Sequence, residues 1–224
     1  AQLPSLRTRV AHAPFFFNSA AHLLRILPEQ ARDLAELLDG LRTVPDGSIF
    51  EHTFQTLQEH HFITEGFSND FAQWAFAACN EVALAEQFAG VDVREFTSVR
   101  ALRQRLIDIV ATYLEQNPRA RDRQALQSFH FCATCSVVVP TPFVSRNLEE
   151  FADALRKVSI YSIHFHFIEA RLRLKLKSND FSVWLEEEME LPQLADRVNQ
   201  IDIYTSTLDE IRRKILLLIQ ETLS

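Results

Sequence analysis

Two histidines and two aspartates recur at matching places in this sequence, and they are its strongest candidates for proton-transfer chemistry. His52 follows Ser48-Ile49 and precedes Asp70, while His166 follows Ser162-Ile163 and precedes Asp180. A histidine exchanges protons near neutral pH, and a carboxylate beside it can fix its tautomer. In that reading His52 or His166 is the acid or base, and Asp70 or Asp180 the orienter. The same residues have a plainer use. A histidine near a helix start can sit half-buried and hydrogen-bonded to the other half of the molecule, and an aspartate there caps free NH groups and complements the helix dipole. Arg42 and Arg156, which also match each other, could pair with these aspartates or hold a ligand.

His130, Cys132 and Cys135 form a second, weaker group. Cys-x-x-Cys behind a histidine has metal-like or redox-like spacing, but a single such pair without a second ligand pair has low specificity. His164 and His166 cannot share a helical face, and His60 and His61 are adjacent, so neither pair has the i,i+4 spacing of a helical metal site. The sequence contains no phosphate-cradling glycine loop, G-x-S-x-G elbow or H-E-x-x-H. No cofactor is expected.

The elements that must position these residues are written twice. Ser68-Asn69-Asp70-Phe71-x-x-Trp74 returns as Ser178-Asn179-Asp180-Phe181-x-x-Trp184. A shift of 114 positions lays Phe15 and Phe17 on Phe129 and Phe131, Arg42 on Arg156, and His52 on His166. After a short deletion the shift becomes 110, which carries the whole Asn-Asp-Phe-x-x-Trp signature. The expected fold is therefore mainly α: a tandem duplication of a helical unit of about 100 residues, each copy opening with a short extended segment, arranged about a pseudo-two-fold axis. The expected division is an N-terminal arm over 1–14, a first copy over 15–117, a linker over 118–128 and a second copy over 129–224, fused into one pseudo-dimeric body.

Within the first copy, Phe15-Phe16-Phe17-Asn18 is too short and aromatic to be anything but a buried extended segment. From Glu29 the spacing of Ala31, Leu34, Leu37, Leu38 and Leu41 predicts a helix. Ser48 with Glu51 reads as a capping box for the next one, whose apolar side includes Phe50, Phe54, Leu57 and Phe62. After a break at Gly66, Ser68 or Asn69 caps a third helix, with Phe71 and Trp74 facing inward. Residues 160–177 alternate like a strand, yet their counterparts read as helical, so the segment is predicted helical with a Phe165, Ile168, Leu172, Leu176 stripe.

Ser48-Ile49-x-x-His52, His60-His61, Asn69-Asp70-Phe71-x-x-Trp74, Leu84-Ala85 and Leu102-Arg103 together resemble an uncharacterised prokaryotic family of unknown function, DUF5752, across both halves. The resemblance implies a soluble intracellular protein of bacterial type and supplies no activity. His60-His61 has no counterpart in the second half.

Composition narrows the partners. A net charge of −7 disfavours a polyanion, whose affinity comes from Lys and Arg on phosphates, so nucleic acid is not expected. No run approaches the ~20 apolar residues of a membrane span. Three cysteines fit a reducing compartment, so the expected location is cytoplasmic. With 4 glycines and 18 phenylalanines, the chain is short of tight-turn residues and rich in core rings. These features favour a non-catalytic protein that binds a partner or small ligand. The alternatives are an enzyme with a His/Asp acid–base site at the seam between the copies, and a metal sensor using His130, Cys132 and Cys135. Oligomeric state is open.

Overall fold

The structure, a computed structural model, describes residues 6–55, 67–173 and 178–224. In chain order, strand β1 (Val10–Ala31) leads into helices α1 (Leu34–Thr43) and α2 (Asp46–Phe50), and α2 runs directly into a π-helical turn, Glu51–Gln55. Helices α3 (Asp70–Ala77), α4 (Val82–Ala89) and α5 (Val99–Gln116) follow. Strand β2 (Phe129–Asn147) then opens a matching series: α6 (Leu148–Lys157), α7 (Ile160–Ile163), a π-turn over His164–Glu169, α8 (Ala170–Arg173), α9 (Asp180–Glu187), α10 (Pro192–Asn199) and α11 (Leu208–Leu223).

Among the described residues the two strands pair antiparallel. Strands of 22 and 19 residues correct the expected fold: it is α+β, not a mainly α pair of tandem helical units. The sequence hid this because only the ends of each strand alternate. Phe15 and Phe17 point inward around an exposed Phe16, whereas Leu23 to Ile26 are exposed without a break. The strand also runs on to Ala31, so the helix expected from Glu29 begins at Leu34, capped by Asp33, whose side chain accepts from Glu36 N.

The chain folds as two compact units, and they cut it differently from the sequence copies. The middle unit is His22–Cys135. The terminal unit joins the described residues up to Ala21 to Ser136–Ser224. Each unit thus takes the helices that follow one strand and the opening segment of the other. In the middle unit, Phe129 and Phe131 of β2 pack on Phe71, at 5.2 and 6.4 Å between ring centroids. In the terminal unit, Phe15 and Phe17 of β1 pack on Phe181, at 5.5 and 6.1 Å.

The arm and the linker dock in the same way. Trp184 Nε1 donates to Ala13 O at 2.8 Å, and Trp74 Nε1 donates to Gln127 O at 2.7 Å. His12 N donates to Glu188 O, and Leu126 N to Ala78 O. The indoles anchor inward as expected, and each buried N–H finds the partner it needs.

Asn69 and Asn179 cap α3 and α9 as predicted, accepting from Ala72 N and Ser182 N. The Ser48–Glu51 capping box does not form. Pro45 occupies the N-cap of α2, Ser48 lies buried inside the helix, and Glu51 turns to accept a hydrogen bond from Thr134 Oγ1. Residues 160–173 are helical as predicted; Leu57, Phe62, Gly66 and Leu176, like His60-His61, lie outside the described residues, and of the Leu172 side chain nothing is described.

Two matched residues sit in the left-handed backbone region: Asn80 at φ 56° and Glu190 at φ 54°. Asparagine tolerates this conformation, whereas for glutamate it costs about 1 kcal/mol. Glu190 does pair with His12 at 3.1 Å, but both side chains are two-thirds exposed, so that contact offsets little. Glu190→Asn is expected to stabilise the protein by about 0.5–1 kcal/mol in urea unfolding.

Candidate functional site

The π-turns carry the two recurrent histidines. A π-turn inserts an extra residue into a helix and re-aims the side chains around it. Here it directs each ring between a helix start and a strand. His52 Nδ1 lies 2.7 Å from Asp70 Oδ2, and His166 Nδ1 lies 2.8 Å from Asp180 Oδ2. On the far side of each ring, Nε2 accepts a backbone N–H: Cys132 N at 2.9 Å from His52, and Asn18 N at 2.8 Å from His166. The first set lies wholly in the middle unit and the second wholly in the terminal unit.

Those distances fix the protonation state. An amide nitrogen can only donate, so Nε2 must hold its lone pair and the proton must sit on Nδ1, facing the carboxylate. The histidines are neutral and buried, at 5% and 3% exposure. Carboxylate, Nδ1–H and Nε2 acceptor follow the order of a Ser-His-Asp triad. A peptide N–H stands where the hydroxyl would be, however, and it has no proton to give up near neutral pH. In each unit the ring works as a clamp that ties a strand to the start of a helix, and the expected hydrogen bond to the other sequence half is met, because the strand comes from the other copy.

Further contacts reinforce the clamp in ways the sequence did not reveal. Ser162 Oγ donates to Asn18 O at 2.6 Å, so residue 18 is held through both its N–H and its carbonyl. Arg173 Nη2 reaches Asp180 Oδ2 at 2.7 Å. Burial raises the Asp180 pKa, but hydrogen bonds from His166 and Arg173, with the nearby Arg173 charge, outweigh it and hold the carboxyl below its ordinary value. A carboxylate with a depressed folded pKa contributes stability that is complete above the unfolded value, about 3.9, and is lost as pH falls through the folded value. Asp180→Asn is therefore expected to destabilise at pH 7 and to flatten the acid limb of a urea-unfolding series.

The remaining candidates separate. Arg42 and Arg156 do not reach the aspartates. Each makes an exposed i,i+3 ion pair on its own helix, with Asp39 at 3.3 Å and Asp153 at 2.6 Å. Arg156 also lines a surface cavity of about 330 Å³ with Arg7, Glu149 and Gln220.

His130, Cys132 and Cys135 lie on β2, where His130 and Cys132 share a face and Cys135, at odd spacing, points to the other. Burial, with the charges of Glu51 and Asp70, pushes the Cys132 thiol up, against the thiolate a metal needs. Among the described residues no group of three His, Cys, Asp or Glu could hold a metal. A trio that sequence reading missed is buried Tyr113, half-buried Glu81 and exposed Arg123. Tyr113 Oη donates to Glu81 at 2.5 Å and Arg123 pairs with it at 3.0 Å; burial and the carboxylate push the phenol to about 12.

Residues 12–220 match a family described as a family of unknown function, DUF5752. The chain belongs to DUF5752. Across 96% of its length this DUF5752 member is similar to 97% of the solved structure of OrfY from Thermoproteus tenax, at 29% identity and a TM-score of 0.83. No curated protein matches it. No helix among the described residues is long and apolar enough to cross a membrane.

Proposed function

We propose that this DUF5752 member is a non-catalytic accessory protein that binds a protein partner. The observation that carries the reading is the apolar surface left uncovered on its strands. Leu23, Leu24 and Ile26 in the middle unit are 60–67% exposed, and Val137, Val138 and Val139 in the terminal unit are 46–53% exposed. Consecutive exposed aliphatic residues on a strand mark an interaction surface, since a solvated strand face normally alternates with polar residues. The clamps support the same reading, because both nitrogens of each recurrent histidine are committed to holding the fold.

The test is a screen of purified protein against general esterase, phosphatase and glycosidase substrates, with His52→Gln and His166→Gln measured beside it. The expected outcome is no turnover that depends on either histidine. A turnover lost in a variant that retains its circular dichroism spectrum would overturn the reading in favour of acid–base catalysis.

A further inference from the structure

The Tyr113, Glu81 and Arg123 trio of the middle unit has an altered counterpart in the terminal unit, and the positions match one by one. Arg123 and Arg9 stand at the same spacing before Gln127 and Ala13, whose carbonyls take the two tryptophan N–H groups. Glu81 and Leu191 hold the N-cap positions of α4 and α10, and their own N–H groups donate to Ala75 O and Leu185 O. Tyr113 and Thr222 fall at the same distance from Ser98 and Thr207, the caps of α5 and α11.

The arginine is kept and its two companions are not. Leucine stands in place of the carboxylate and threonine in place of the phenol. In the middle unit Arg123 and Tyr113 both meet Glu81. In the terminal unit Arg9 is half-buried, and among the described residues it meets a carbonyl, Met189 O at 3.2 Å, and no carboxylate. Thr222 turns its hydroxyl back onto its own helix, donating to Leu218 O at 2.8 Å.

Arg9, Leu191 and Thr222, the three altered-trio positions, all line one cavity of about 420 Å³. That is the size of a small-molecule site. Leu6 and Leu194 extend its apolar wall. The other charged side chains of the lining are engaged, Arg197 with Glu221 at 2.7 Å and Glu190 with His12 at 3.1 Å. A guanidinium drawn partly out of water without an opposite charge is under-compensated, and its planar fork fits a carboxylate.

We propose that the terminal unit binds a small aromatic carboxylate in this cavity, with the carboxylate on Arg9 and the ring against Leu6, Leu191 and Leu194. The ligand supplies the two groups that Glu81 and Tyr113 supply within the chain. The first turn of α10 forms part of the lining, and the positive end of its dipole favours the same charge. The site uses none of the exposed strand residues that carry the partner-binding reading, so the two stand or fall separately.

Saturation-transfer NMR titrations with phenylacetate test this on the whole protein. The wild type is expected to bind with a dissociation constant of about 1 mM or tighter. Acetate lacks the ring and benzyl alcohol lacks the charge, and each should bind at least about tenfold more weakly. Arg9→Gln should weaken phenylacetate binding at least about tenfold, the least that loss of a hydrogen bond to a charged group brings.

A second variant keeps folding out of the question. Leu191→Glu combined with Thr222→Tyr rebuilds the middle unit's trio around Arg9. It is expected to hold or raise the wild-type Tm and to bind no phenylacetate, a loss that unfolding cannot explain. The proposal is overturned by a wild type without saturable binding, or one that holds acetate or benzyl alcohol as tightly. It is equally overturned by an Arg9→Gln protein that binds like wild type, or a rebuilt variant that binds like wild type or melts earlier. None of these outcomes touches the histidine-dependent turnover that tests the other reading.

Discussion

His166→Leu is expected to destabilise the terminal unit by about 3 kcal/mol while leaving its shape intact. Leucine fills much of the ring's volume, so the loss is polar rather than steric. The substitution strands the part-buried Asn18 N–H and removes the Nδ1–H donor from Asp180. A buried donor left without its partner costs about 1–3 kcal/mol, and a hydrogen bond to a charged acceptor contributes about 1.5–3 kcal/mol. Arg173 still reaches Asp180, which keeps the total near the lower end of the combined range. Urea unfolding at pH 7 measures it. A loss below about 1 kcal/mol would show that water or a side-chain shift satisfies both groups, and the clamp would lose its structural role.

Phe131→Ala is expected to cost a further class of energy, about 3–5 kcal/mol, because it empties the core of the middle unit. Phe131 is fully buried between Phe129, His52 and Phe71. Its ring also presses on α1, where a Cβ added at Gly40 would come within 2.3 Å of it. Glycine at position 40 is therefore a packing requirement. Gly40→Ala alone is expected to destabilise by overpacking, about 1–3 kcal/mol. In the Phe131→Ala background the same change should be neutral or stabilising, since the added methyl enters the space the ring left. Additive losses in the double variant would mean that α1 and β2 shift apart freely, and the close contact would not constrain the core.

Much of the site was legible in the sequence and much of the sheet was not, for one physical reason. Residues fixed by local rules announce themselves: Asn69 and Asn179 are helix caps, and the Asp that follows each reaches the recurrent histidine. The π-turns are invisible in sequence, because one extra residue in a helix leaves the composition unchanged, and they decide where the rings point. The strands were underestimated because β1 between Leu23 and Ile26 and β2 between Val137 and Pro140 are exposed on successive residues, which erases the two-residue period of a half-buried strand. Ser48 misled by type, since a serine before a glutamate at N3 is a capping signal until Pro45 takes the cap position first. Arg42 and Arg156 matched each other because each pairs with an aspartate one turn back on its own helix, a local habit with no bearing on the histidines.

The division of the chain between units also sets an order of events during synthesis. The middle unit is one continuous stretch, His22–Cys135, so all of it is synthesised before Ser136–Ser224. The terminal unit has to wait for Ser136–Ser224. Through that interval the aromatic start of β1 has been translated without the helices that bury Phe15 and Phe17, and an unmatched apolar strand is where nascent chains aggregate. Residues 10–21 are made well before the helices that bury them, which makes them the stretch where a chaperone would have most to do.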